Sequence, residues 1–195
     1  MRKIFICEYV TGGGYINKKI SKKLFIQANI ILKSLLNDFN KIPNLKIIYT
    51  WDYRYKEITK RKRIQCVFIK KNPWKIWSSL IKKSDFFFPI APESDGKLLK
   101  FVKFGNSQKN NLIGSDIVAI KTASSKYKTY KMFQKYSIPT IPTFKNIKKI
   151  NCKNYNKWVI KPDDGAGCEK NHIFSNKNKM LNFINLNKNY VIQPL

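Results

Sequence analysis

The feature that most constrains this chain is an alternation of short apolar runs with segments of helical spacing. Lys3–Glu8 reads as a buried strand, KIFICE, and runs directly into Val10-Thr11-Gly12-Gly13-Gly14. From Ile20 to Leu36 apolar residues recur at helical spacing, with Leu24, Ile31 and Leu35 on one stripe. Leu45–Tyr49 and Gln65–Ile69 are strand-like, Pro73–Ile81 opens a helix with proline in its first turn, and Phe86–Ile90 is another apolar strand. Strands that alternate with helices predict an open α/β sheet with parallel strands, because each crossover buries its helix on a sheet face. Ligands of such sheets sit beyond the carboxyl ends of the strands, where Ala91-Pro92-Glu93 lies.

A second pattern begins near Leu112. Ile113-Gly114-Ser115 leads into a helical stretch through Ala123, and another helix spans about Ser125 to Tyr136. Ile138-Pro139-Thr140-Ile141-Pro142 is an extended exit imposed by its prolines, and Asn146–Asn156 reads as a polar loop. Trp158–Lys161 is a strand, Asp163–Gly167 a tight loop, His172–Phe174 a strand, Lys179–Leu186 a helix, and Tyr190–Leu195 is again strand-like. The expected domains are residues 1–111 and 112–195.

The formal net charge of +28 invites a nucleic-acid or membrane-surface reading. However, 35 of the 39 basic residues are lysine and only Arg2, Arg54, Arg61 and Arg63 are arginine, the residue suited to bidentate contacts with phosphates and bases. The lysines are dispersed among many Asn and Ile, all with A/T-rich codons, which favours coding bias over selection for a polyanion. Cys7, Cys66, Cys152 and Cys168 stand far apart and His172 is the only histidine, so neither a zinc site nor a disulfide framework is indicated. Glu8 interrupts the apolar start, and no run approaches the roughly 20 apolar residues of a membrane span. A cytoplasmic location is expected.

Neither glycine cluster completes a P-loop or a dinucleotide fingerprint. In Trp158–Glu169, WVIKPDDGAGCE, Lys161 stands at a strand end before Gly165, Ala166 and Gly167. Small residues let the backbone approach an anion and turn its N–H groups toward it, while the lysine supplies a point charge. A hairpin turn at Asp164-Gly165 explains the same residues.

Together, IGS at Ile113–Ser115, the helix with Lys126 and Thr129, the IPTIPT exit, WVIKPDDGAGCE and YVIQP resemble the first part of the ATP-grasp superfamily. ICEYVTGGG and IAPESDGKL are similar to the branch that includes archaeal tyramine-glutamate ligase. The resemblance spans essentially the whole chain. It implies a Rossmann-like pre-ATP-grasp domain followed by the first α+β lobe of an ATP-grasp domain. It further implies that Lys126 and Lys161 contact ATP phosphates, that Gly165, Ala166 and Gly167 form the flap over them, and that Gln193 to Leu195 meet the adenine edge. Gly12, Gly13, Gly14 and Glu93 are candidate substrate contacts. A sharp strand-to-helix turn explains the glycines equally well, and helix capping explains Glu93. Ser125 replaces the aspartate common in the family, and Gln193 a common glutamate.

The implied activity is ATP-dependent ligation of a carboxylate to an amine through an acyl phosphate. In the family the magnesium ligands follow the adenine strand, so Mg²⁺ is expected to have no ligand among these residues, and no catalytic residue is assigned. A truncated or split-gene product, or the first half of a two-chain enzyme whose partner supplies the C-terminal lobe, is the expectation. Two rivals stand beside it: a non-catalytic relic, and a basic nucleic-acid binder using Lys60–Arg63 with Trp74 and Trp77 as a patch. Trp51, Trp74 and Trp77 are otherwise expected to be core or interface anchors, and His172 and Cys168 bystanders.

Overall fold

The computed structural model describes residues 1–56, 59, 61–109, 111–145, 155–164, 168, 170–186 and 189–195. They form two compact units, Met1–Pro92 with Lys97–Ser115, and Asp116–Leu195 with Glu93–Gly96.

In the first unit β1 (Arg2–Glu8), β2 (Leu45–Asp52), β3 (Ile64–Ile69) and β4 (Phe86–Ile90) make a sheet in the order β3-β2-β1-β4, with every pair parallel. Leu112 bridges Phe87 in parallel and extends the sheet past β4. Parallel strands carry helices on both faces, so their sequences are apolar in near-continuous runs rather than alternating. Ile4 and Ile6 turn to one face, where they meet Leu32 and Leu36 of α1 (Lys22–Phe39). Phe5 and Cys7 turn to the other, against Trp77 and Ile81 of α2 (Pro73–Lys83) and Phe101 of α3 (Lys97–Gln108).

Two expectations need correction here. The buried stripe of α1 is Ala28, Leu32 and Leu36, whereas Ile31 is 46% exposed and Leu24 and Leu35 are half-buried. The helix carries two adjacent apolar stripes, and periodicity cannot choose which one faces the sheet. Helix α3 is absent from the sequence reading because Gly105 sits in its interior. The ring of Phe87 explains that glycine, since a Cβ there would stand 2.6 Å from its Cε1.

The second unit opens with α4 (Ile117–Ala123) and α5 (Lys126–Lys135). Its sheet has the order β6-β5-β7, built from β5 (Trp158–Pro162), β6 (His172–Phe174) and β7 (Tyr190–Pro194), with both pairs antiparallel. Phe144 bridges Ile192 and carries the sheet one step beyond β7. Trp158, Ile160 and Ile192 pack on Met180 of α6 (Lys177–Leu186). The pleat therefore turns Val159 and Lys161 to the opposite face, together with Gln193, which pairs with Val159. Among the described residues no helix is long and apolar enough to cross a membrane.

Candidate functional site

The end of β5 is fastened to the start of α5. Ser125 caps α5 by accepting from the Lys128 N–H at 3.1 Å, and its hydroxyl donates to Asp163 Oδ2 at 2.8 Å. Asp163 Oδ1 accepts from the Tyr127 N–H at 2.9 Å, and the Asp163 carbonyl accepts from the Lys126 N–H at 3.0 Å. An aspartate at position 125 would face this carboxylate across a hydrogen-bond distance. A hydroxyl, which can donate, is what the geometry requires. Lys145 completes the arrangement with its Nζ 2.8 Å from Asp163 Oδ2.

This network places Lys126 at the first position of α5, where its Nζ donates to the Pro162 carbonyl at 2.7 Å. Burial pulls the Lys126 ammonium below its ordinary range, although Asp163 and Asp164 pull the other way. Burial pushes Asp163 up, but the bonds from Lys145, the Tyr127 N–H and Ser125 outweigh it, so the carboxyl lies below the usual range.

On the sheet face away from α6, Lys161 Nζ donates to Gln193 Oε1 at 2.9 Å. An ammonium can only donate, so the amide oxygen turns toward it. The amide nitrogen then donates to Thr143 Oγ1 at 2.8 Å, and the Thr143 hydroxyl donates onward to the Ile141 carbonyl at 3.0 Å. Thr143 is buried, so its satisfied hydroxyl fixes the polarity of the whole chain of bonds.

At the carboxyl ends of the parallel strands, Gly12 and Gly13 are buried and Gly14 is half-buried. Gly13 has φ +105° and packs on Ile69, and the Trp77 Nε1–H donates to the Gly12 carbonyl at 3.3 Å. Gly14 lines a cavity of about 510 Å³ with Tyr15, Asn17, Lys18, Asn72 and Trp74. Glu8 is buried beneath the turn, accepting from the Val10 and Thr11 N–H groups and the Thr11 hydroxyl, and burial raises its pKa. Arg54 forks onto the buried Asp52 and also donates to the Tyr15 and Lys18 carbonyls, tethering the segment after the glycines.

Lys126, Lys161 and Gln193 thus come together within the second unit. Leu195 is 66% exposed, and its N–H donates to the Lys157 carbonyl. Glu93 is exposed in the bend after β4. Gly165, Ala166 and Gly167 lie outside the described residues, as do Lys60, Glu169 and Cys152. Reading the sequence missed Asp163, Lys145 and Thr143 as parts of the site. The only signal for Asp163 was its place between the β5 lysine and the glycines.

Among the described residues no three His, Cys, Asp or Glu side chains gather to hold a metal ion. The Asp163 carboxylate is already engaged by Lys145 and Ser125. These residues do not fit a magnesium site.

Among the described residues, Arg61, Lys62 and Arg63 do not gather with Trp74 and Trp77 into one patch. Trp77 is fully buried among Tyr9, Trp74 and Phe101, and Trp51 is also in the core. Arg61 and Lys62 lie beside Met1 and Lys46, at the amino ends of the strands, whereas Trp74 follows the carboxyl end of β3. Arg63 is engaged with the Asn40 and Ile42 carbonyls.

Residues 45–120 match the model of the pre ATP-grasp 3 domain, and residues 123–195 match that of the ATP-grasp domain. Among solved structures, the chain is similar to an ATP-grasp superfamily protein from Archaeoglobus fulgidus at 18% identity and TM-score 0.71, the whole chain aligning with 53% of that one. It is similar to D-alanine–D-alanine ligase from Bacillus anthracis at 15% identity and TM-score 0.57, covering all of this chain and 57% of that one. The same ligase complexed with ATP also matches. N5-carboxyaminoimidazole ribonucleotide synthetase from Thermotoga maritima matches at 16% identity and TM-score 0.54, again over the whole chain and 46% of that one. At such identities the fold is what is shared, and the chain spans about half the length of these structures. No curated protein sequence matches.

Proposed function

Because the chain belongs to the ATP-grasp superfamily, we propose that Lys126, Lys161 and Gln193 form one wall of an ATP site in a carboxylate–amine ligase. The observation that carries this reading is the Lys161–Gln193 hydrogen bond on the sheet face opposite the α6 core, beside the start of α5 that presents Lys126. Two ammonium groups from separate elements suit a polyphosphate, and the Gln193 amide oxygen can accept from the amino group of adenine. Gly165–Gly167 are the proposed flap.

In such a ligase a carboxylate oxygen attacks the γ-phosphorus and ADP leaves. The amine nitrogen then attacks the acyl carbon, losing a proton as inorganic phosphate departs. The lysines would hold the phosphates in line and offset the negative charge that builds on the transferred group. Gly12, Gly13, Gly14 and Glu93 are the proposed substrate contacts, the glycines in the turn that follows β1. An amino acid such as glutamate and a small amine are the substrates suggested by the family branch.

Isothermal titration of the chain with ATP, with and without magnesium, tests the wall. Saturable binding that Lys126→Ala and Lys161→Ala each weaken is the expected result. Binding that ignores both substitutions would remove the lysines from the phosphate site.

A further inference from the structure

A wall that receives polyphosphate gains from positive charge, yet it contains the buried carboxylate of Asp163. That residue is joined through its own nitrogen to the carbonyl carbon of Pro162, whose oxygen holds the Lys126 ammonium at 2.7 Å. A carboxylate so close would compete with phosphate for the lysine. Removing it outright would loosen α5, because the Tyr127 N–H and the Ser125 hydroxyl both depend on it.

Lys145 resolves the conflict. It reaches Asp163 Oδ2 at 2.8 Å, and its ammonium stands 5.5 Å from the ring centroid of Tyr127, the same residue whose N–H binds Oδ1. Carboxylate and ring locate the lysine from two directions, which lowers the entropy lost on pairing. The Asp163 side chain is 7% exposed, so its charge is poorly screened by water and its pairing matters more than at the surface.

We propose that Lys145 is a positioning residue of the nucleotide wall, holding the Asp163 carboxylate against the first turn of α5 so that it anchors the helix while its charge is drawn off Lys126. In the absence of Lys145 the carboxylate keeps its hydrogen bonds, and its charge falls on Lys126. The part of this inference that concerns nucleotide rests on the ATP-site reading. The Asp163–Lys145–Lys126 coupling does not.

The test compares Lys145→Met, Asp163→Asn and the double variant in the 195-residue chain. NMR titration of the Lys126 side chain without nucleotide should show its pKa raised by Lys145→Met, with no such rise in the Asp163→Asn background. ATP affinity should fall about tenfold in Lys145→Met, the equivalent of one pKa unit, and substituting Lys145 in the Asp163→Asn background should cost less than twofold. A merely structural lysine would lower affinity equally in both backgrounds and leave the Lys126 titration unmoved, which overturns the proposal. Should Lys145→Met fail to fold, Lys145→Arg against Lys145→Gln gives the same comparison, with only the uncharged variant expected to shift Lys126. A wild-type chain that does not bind ATP, combined with the expected Lys126 shift, would overturn the nucleotide reading and leave the coupling standing.

Discussion

Lys161 Nζ and Gln193 Oε1 lie 2.9 Å apart, joining neighbouring strands on the face that α6 leaves uncovered. Replacing Lys161 by methionine keeps most of the stem and removes the charge. Since charge-assisted hydrogen bonds are worth about 1.5–3 kcal/mol, ATP affinity should fall roughly 10- to 100-fold. Adenosine, which lacks phosphates, should lose less than about twofold on the same principle. Calorimetric titration of both ligands checks this, and equal losses would place the lysine away from the phosphates.

Asp163 and Glu8, both buried, respond to pH with opposite signs. Burial pushes Asp163 up, but Lys145 and its other donors bring it net below the ordinary range. Its contribution to stability is therefore present above the unfolded carboxylate pKa and is lost as pH falls through the lower folded value. Glu8 is raised by burial, so its contribution is present below the unfolded pKa and is lost as pH rises through the higher folded value. Urea unfolding across the acid range should show Asp163→Asn flattening the loss of stability below about pH 4. An unchanged acid slope would mean that Asp163 is not paired in solution.

Gly105→Ala is expected to destabilise the first unit, against helix propensity. Alanine gains about 1 kcal/mol over glycine in a helix interior. Here the new methyl would stand 2.6 Å from Phe87 Cε1 and 2.8 Å from Cδ1, in a core where Phe87 is fully buried. Overpacking of this kind costs about 1–3 kcal/mol, so a net loss should appear as a lower urea midpoint at unchanged m-value. A higher midpoint would show that the Phe87 ring moves aside cheaply.

The net charge of +28 will attract nucleic acid, and the geometry says how. With Trp77 and Trp51 in the core, the expected attachment is to backbone phosphates without stacking on these rings. Binding of a single-stranded oligonucleotide should fall steeply with salt and be weaker than micromolar at physiological ionic strength, since non-specific binding lies at about 10⁻⁴–10⁻⁶ M there. Nanomolar affinity that survives salt, or quenching of tryptophan fluorescence on binding, would revive the nucleic-acid reading.

Much of the fold was legible because its signals are local. Apolar runs marked each of the seven strands among the described residues to within a few residues, helical spacing marked α1, and α2, α4, α5 and α6 were each legible as helical stretches. Which stripe of α1 turns inward was not legible, because the helix offers two. Helix α3 escaped because the reason for Gly105 is a ring on β4, remote in sequence. In the site, Lys161 was legible from its strand-end position, and Lys126 and Gln193 from the family order of motifs.

By its own sequence the chain determined a parallel sheet followed by a second group of short strands, and the strand end on which Lys161 stands. A strand's face and period are set within a few residues of backbone. Only the tertiary structure decided that Ser125, Lys145 and Asp163 meet, and that Thr143 backs Gln193. Hydrogen bonds and ion pairs reach about 3 Å, and which groups come that close depends on how helix and strand ends close on one another, a relation that no local pattern encodes.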